Sequence, residues 1–202
     1  MELTNETKVM TREQWLNAVK DELRPLFLIV GLDIPKVRVS CGFSGKNVRG
    51  QHNGKILGVA YNHIISSDDT CEIFISPEID NGLEVAAILV HELIHACLPN
   101  AGHGRDFRAA AIELGLTGKM TSTIATPELN SKLLQIIEKI GQGYPHSRLN
   151  LADRPKQDTR LHKMVCTDCG AIAYMTRKWI DSIGTPFCGC GSKIQMECTD
   201  KE

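Results

Sequence analysis

Long hydrophobic runs are missing from this chain. Nothing in its 202 residues approaches the eighteen or so consecutive apolar residues that cross a bilayer, and the one early apolar run, Leu26 to Val30, is short and follows charged residues. No transmembrane helix, membrane partner or targeting leader is therefore expected, and a soluble, cytoplasmic protein is. A strong charge of one sign is also missing. The 23 Lys and Arg stand against 24 Asp and Glu, for a formal net charge of −1, which excludes proteins that coat nucleic acid by bulk charge alone. The near-neutral total hides a modest split: residues 1–143 carry 14 basic and 17 acidic side chains, residues 144–202 carry 9 and 7. An excess this small permits nucleic-acid contact by the tail without requiring it.

Cysteine, by contrast, is plentiful. Of the eight, Cys166, Cys169, Cys188 and Cys190 cluster as metal ligands do, whereas Cys41, Cys71, Cys97 and Cys198 are scattered, the pattern of ordinary thiols in a reducing compartment. A hydrophobic content of 42% is enough for a real core, and the length leaves room for a second, small unit.

Residues 91 to 95 read His91-Glu92-Leu93-Ile94-His95. On a helix, histidines at i and i+4 share a face, so both imidazoles reach one metal ion, and the intervening glutamate lies beside its open position. The surrounding segment, Leu83 to Leu98, is apolar nearly all the way round, so it reads as a core helix with a polar notch. Asn81 with Glu84 fits a capping box at its start, and Pro99-Asn100-Ala101-Gly102 supplies the stop. Burying two histidines and a glutamate within one turn is costly unless they are paired or hold a metal. Cys97, on the same helix, reads as a small core residue.

A catalytic zinc usually takes three protein ligands. His103, between Gly102 and Gly104, lies on a backbone free to swing back toward the metal; Glu113 is the rival, on a helix Arg105 to Leu116 whose apolar stripe is Phe107, Ala110, Ala111 and Leu114. Glu113 falls off that stripe, so His103 is the expected third ligand. The five-residue gap between second and third histidine that typifies the metzincins is absent.

The rest of the chain reads as an α+β plan. After a flexible N-terminus, 1–10, a helix is expected over Thr11 to Phe27, with Thr11 and Gln14 in capping-box spacing, Trp15, Val19, Leu23 and Phe27 on one stripe, and Pro25 bending or ending it. Strands are expected at Val37 to Phe43, Leu57 to Tyr61 and Glu72 to Ser76, the last as an edge strand able to pair with an extended peptide. A helix from Thr126 to Ile140 shows Leu129, Leu133, Ile136, Ile137 and Ile140 on one face. Residues 141–163, with Gly141-Gln142-Gly143, Pro145, Asn150 and Pro155, lack periodicity and read as a linker.

Over residues 164–198, Cys166-Thr167-Asp168-Cys169-Gly170 followed by Cys188-Gly189-Cys190-Gly191 has the outline of a zinc ribbon, a module too small to fold by burial alone and expected to be held by a structural zinc. Its second pair is separated by one residue rather than two, which leaves Cys198 as an alternative to Cys188. Within it, Tyr174-Met175-Thr176-Arg177-Lys178-Trp179 interleaves bases with aromatics, which suits single- or double-stranded DNA, with Arg177, Lys178 and Trp179 as the candidate contacts; alternatively Tyr174 and Trp179 cover the zinc site.

These motifs resemble the SprT-like metallopeptidases. The family pattern of HExxH, a variable loop, then His-Gly-x-x-aromatic is matched by His91 to His95 followed by Gly102-His103-Gly104-Arg105-Asp106-Phe107. The stretch Trp15 to Phe27, the segment Val37-Arg38-Val39-Ser40-Cys41-Gly42-Phe43 and the four-cysteine module also resemble bacterial and phage-type members, so the likeness covers most of the chain. It implies a zincin-like metallopeptidase domain over 11–140 in which His91, His95 and His103 bind a catalytic zinc and Glu92 is the base for a zinc-activated water. It further implies a protein or peptide substrate, an association with DNA-bound proteins, and a cytoplasmic location, that of the host if the protein is phage-encoded. His63, Tyr61 and Tyr144 are open candidates for a second electrophile. The alternative from another class is a DNA- or transcription-complex-binding zinc protein with vestigial peptidase activity, against which an intact Glu92 argues.

Overall fold

The computed structural model describes residues 9–43, 56–151, 161–191, 195, 197 and 198. Most of the expected flexible N-terminus and residues 152–160 of the expected linker lie outside them. The chain is mixed α+β and divides into two compact units, Met1–Leu151 and Ala152–Glu202.

In the first unit, helix α1 (Arg12–Ile29) opens on the expected capping box, with Thr11 Oγ1 accepting from the Gln14 N–H and the Gln14 side chain accepting from the Thr11 N–H. Trp15, Val19, Leu23 and Phe27 are fully buried along its inner stripe. Pro25 does not end the helix, which runs four residues further. Both Pro25 and Asp21, whose carbonyl loses its helical partner to the proline, are exposed, so the proline sits on the solvent side of the helix and not against the core.

Strands β1 (Val37–Cys41), β2 (Gly58–Tyr61) and β3 (Cys71–Ile75) form a sheet in the order β1-β3-β2, with β1 parallel and β2 antiparallel to β3. The expectation that Glu72 to Ser76 forms an exposed edge is thereby corrected. β3 is the central strand, with Cys71, Ile73 and Ile75 buried beneath the helices, and both of its backbone edges are already paired. Among the described residues, the edge near the histidine helix belongs to β2.

Helix α2 (Gly82–Cys97) carries the HExxH sequence and is capped by Asn81, whose Oδ1 accepts from the N–H groups of Leu83 and Glu84. Val85, Ala86, Leu89, Val90, Leu93 and Ile94 are fully buried, which makes α2 the central helix of the core. Helix α3 (Arg105–Leu114) buries the expected stripe and stops at Gly115, whose φ of 95° is a left-handed cap. A hairpin that the sequence reading did not anticipate follows, β4 (Leu116–Lys119) with β5 (Ser122–Ala125). Thr126 then caps α4 (Pro127–Ile140), which packs on α1 and α2 through Leu129 and Leu133.

The first part of the expected linker is instead a strap of the first unit. Trp15 Nε1 donates to the Gln142 carbonyl at 2.8 Å, the Tyr144 ring lies 5.0 Å from that of Trp15, and the Pro77 carbonyl accepts from the Leu149 N–H and contacts His146 Nε2, both at 2.8 Å. Tertiary partners, invisible in the local pattern, hold this aperiodic stretch in place.

The second unit holds strands β6 (Leu161–Val165), β7 (Ile172–Thr176) and β8 (Glu197–Cys198) in the order β7-β6-β8, with a short helix α5 (Arg177–Ile183) after β7. Its buried core among the described residues is small, Met164 and Cys166 with Ala173, Ile180 and Cys188 against them.

Candidate metal centres

One turn of α2 presents His91 and His95 on the same side, and the loop after the helix returns His103 to meet them. The turn is made possible by Gly102, with φ of 52°, a conformation that side chains disfavour. His103 Nε2 lies 3.1 Å from His95 Nε2 and 3.3 Å from His91 Nε2. Three imidazole nitrogens aimed at one point form a ready donor set. A tetrahedral ion bonded at about 2.0 Å to each would hold them about 3.3 Å apart, so the residues fit a zinc-sized metal. Glu113 is exposed and outside this group, which comprises His91, His95 and His103.

The electrostatics favour lone pairs over protons at this point. Burial, followed by the charges of neighbouring imidazoles, pushes His91 and His95 down to about 4, and burial lowers His103 as well. All three are neutral at neutral pH, the form that binds a metal.

Beneath the rings lies Phe107, fully buried, with its ring centroid 4.4 Å from that of His95, 4.9 Å from His91 and 5.1 Å from His103. The aromatic of the His-Gly-x-x-aromatic pattern is thus the floor of the site. A further contact comes from the hairpin, where Thr123 Oγ1 lies 2.9 Å from His91 Nδ1. No local signal in the sequence marks Thr123, because the contact depends on how β5 meets α2.

Glu92 is 6% exposed and faces β2. Burial pushes its carboxyl up to about 8, against the opposing effect of a hydrogen bond from the Ala60 backbone. Gly58 lets the strand come this close: a β-carbon there would stand 2.6 Å from Glu92 Oε1 and 2.7 Å from Ile88 Cγ2. A cleft of about 680 Å³ opens over these groups, lined by β2, α2, His103 and the tip of the hairpin.

The candidate electrophiles fare differently. Tyr144 is packed on Trp15 and does not line the cleft, and neither does His63, whose Nδ1 lies 2.5 Å from Asp69 Oδ1. Tyr61 borders the cleft with its ring edge-on to Phe74, 6.1 Å away, on the sheet face opposite the one packed against α2. Neither Tyr144 nor His63 has its polar atom placed against the histidines by a contact among the described residues.

In the second unit, Cys166, Cys169, Cys188 and Cys190 bring their sulfurs together, with Cys166 to Cys190 at 3.8 Å and Cys169 to Cys188 at 3.5 Å. Tetrahedral zinc with sulfur at about 2.3 Å requires separations of about 3.8 Å, so this donor set fits too. The backbone N–H groups of Cys169 and Asp168 draw the Cys166 thiol down to about 7, easing the loss of its proton to a metal. The one-residue spacing of Cys188 and Cys190 accommodates both sulfurs in the cluster. The Cys198 backbone pairs with Met164; its side chain lies outside the described residues.

Arg177, Lys178 and Trp179 fall on α5. Tyr174 and Trp179 are 61% and 52% exposed, and Lys178 Nζ lies 5.6 Å from the Trp179 ring centroid. Comparison with protein-family models, with curated proteins and with solved structures finds no match for this chain.

Proposed function

We propose that the first unit is a zincin-like, SprT-like zinc metallopeptidase and that the second is a zinc ribbon. The observation that carries this reading is the convergence of three neutral imidazoles on one point at the floor of a cleft, with the carboxyl of Glu92 buried one residue along the same helix.

Bound by His91, His95 and His103, zinc would supply Lewis acidity, lowering the pKa of water and drawing charge from a peptide carbonyl. Glu92 holds and moves the proton. Burial raises its proton affinity above that of an ordinary carboxylate, toward the range in which one group both accepts a proton from water and returns it to a leaving amine. Gly58 and the Ala60 N–H fix where that carboxyl sits. The β2 edge, beside the cleft, offers backbone groups to which an extended peptide can add as a further strand. The substrate is accordingly a protein segment able to adopt an extended form.

DNA is proposed as the partner of the second unit, on the exposure of Tyr174 and Trp179 among Lys178, Arg177 and Lys163, a combination of stacking surface and positive charge. Proteins associated with DNA are then the proposed substrates. The alternative, a DNA-binding protein with a vestigial site, gives no reason for a buried carboxyl whose burial must be offset elsewhere.

Replacing Glu92 with Gln tests the reading. The variant retains the three histidines, so its zinc content stays at the parent level while hydrolysis of casein or histone, with and without single-stranded DNA, falls by ~100-fold or more. Undiminished hydrolysis would sink it.

A further inference from the structure

We propose that Thr123 is a positioning residue of the three-histidine site, accepting the Nδ1 proton of His91 so that Nε2 of that ring is left free for a metal. The inference rests on the reading that these imidazoles hold zinc, and assigns a role to a residue outside the HExxH helix and the loop after it.

His91 has two ring nitrogens, and a neutral imidazole carries its proton on one of them. The Nε2 atom is the one that meets His103 Nε2 at 3.3 Å, whereas Nδ1 points the opposite way to Thr123 Oγ1 at 2.9 Å. A hydroxyl oxygen has lone pairs to receive Nδ1–H, which fixes both the tautomer and the rotation of the ring. A hydroxyl is also a neutral acceptor. It leaves the imidazole a weaker donor than a carboxylate partner would, and a metal held by weaker donors keeps more of its acidity for water.

The hairpin is built to deliver this hydroxyl. Register pairs Gly118 with Thr123 and Leu116 with Ala125, so Thr123 and Ala125 share the face toward α2, while Ile124, 65% exposed, points away. Its base is clamped, since Leu116 is buried and the Thr126 N–H donates to the Gly115 carbonyl at 2.9 Å. Opposite Thr123, Gly118 adopts φ of 90°, which a side chain would strain. A whole two-stranded element, anchored at one end, thus holds one hydroxyl against one ring.

Two substitutions separate the hydroxyl from the shape. Thr123→Val keeps the branched side chain and removes the acceptor; Thr123→Ser keeps the acceptor. In the full chain, cobalt(II) spectra distinguish the all-imidazole site from the all-thiolate site, and competition with a chelator gives the zinc affinity of each. The Val variant should lose ~10–100-fold in zinc affinity at the histidine site and nothing at the cysteine site, and the Ser variant should lie close to the parent. In metal-free protein, nitrogen-15 NMR should show the His91 proton on Nδ1 in the parent and Ser forms and divided between the two nitrogens in the Val form. Parent-like affinity and tautomer in the Val variant would overturn the assignment, as would a Ser variant as weak as Val. If the parent hydrolyses no peptide but the Val variant still loses zinc and tautomer, the proposed activity fails while the role of Thr123 stands.

Discussion

The Cα of Gly58 faces Glu92 so closely that no side chain fits between them: an added β-carbon would sit 2.6 Å from Oε1 and 2.8 Å from Cγ of Glu92. The smallest substitution therefore acts directly on the carboxyl. Gly58→Ala should displace Glu92, lower peptide hydrolysis by ~100-fold and destabilise the first unit by about 1–3 kcal/mol, leaving zinc bound. Zinc analysis, thermal melting and a peptidase assay on one preparation check all three effects. Full activity would mean that the strand yields and the close approach has no catalytic consequence.

Removing His103 should differ sharply from removing Glu113. His103→Ala takes away one of three converging nitrogens, so metal affinity should fall by more than the roughly 10–100-fold typical of an outer partner. Glu113→Ala, at an exposed position outside the cluster, should leave affinity and hydrolysis at the parent level. Titration with a zinc indicator decides between the two, and a reversed pattern would assign the third ligand to Glu113.

Metal-free protein should have a pH profile set by the buried notch. Glu92 has its folded pKa raised to about 8 from an ordinary 4.5, so the folded form keeps a proton that the unfolded chain has lost, and stability falls as pH rises through that window. His91 and His95 are shifted down to about 4 from 6.5, so their contribution is lost as pH falls below 6.5. Together they place the maximum at about pH 6.5, with a loss on the order of 2 kcal/mol toward pH 8 from Glu92 alone. Glu92→Gln should remove the fall on the alkaline side and steepen the rise between pH 4.5 and 6.5. Urea unfolding of parent and variant in chelator, at pH 6.5 and 8, measures the difference, and parallel curves would show that Glu92 is ionised throughout.

Chelation should separate the two units. The first has a continuous core through four helices and a sheet, whereas the described residues of the second bury little besides Met164 and Cys166. Full loading should correspond to two metal ions per chain, one for each cluster. A strong chelator, or Cys166→Ser, should unfold the second unit and leave the first intact, seen as loss of NMR dispersion from residues 161–198 alone. Persistence of the second unit without metal would show that its packing suffices.

DNA binding, if carried by the second unit, should depend on salt and on its exposed bases. Arg177→Ala with Lys178→Ala should shallow the salt dependence, and Trp179→Ala should weaken single-stranded DNA by about 1–3 kcal/mol. Fluorescence titrations at two ionic strengths, with the full chain and with residues 1–151, read this out. Equal affinity of those two forms would place the contact elsewhere.

What the sequence made legible follows physical range. The capping box at Thr11, the buried stripe from Trp15 to Phe27 and the return of His103 past Gly102 arise from interactions within a few residues, and each is found. The misread features depend on partners far along the chain. The centrality of β3 comes from a parallel pairing with β1, thirty-four residues away at Arg38 and Glu72, and the order of residues 142–149 comes from Trp15 and Pro77. Thr123 and Gly58 were silent for the same reason, since a threonine in a hairpin and a glycine in a strand acquire meaning only from the helix against which they land.

The amide pairing at the base of the first unit closes that unit on itself. Gln142 Oε1 accepts from the Met10 N–H at 2.9 Å and its Nε2 donates to the Met10 carbonyl at 3.4 Å, so the beginning and end of the fold are neighbours. A cut after Gly143 would strip Tyr144 from Trp15, and an isolated first unit needs its chain through Leu151. The same adjacency makes the unit a ring with one seam between Met10 and Gln142, the arrangement suited to circular permutation, in which new termini at an exposed loop would leave the buried histidine helix with its neighbours.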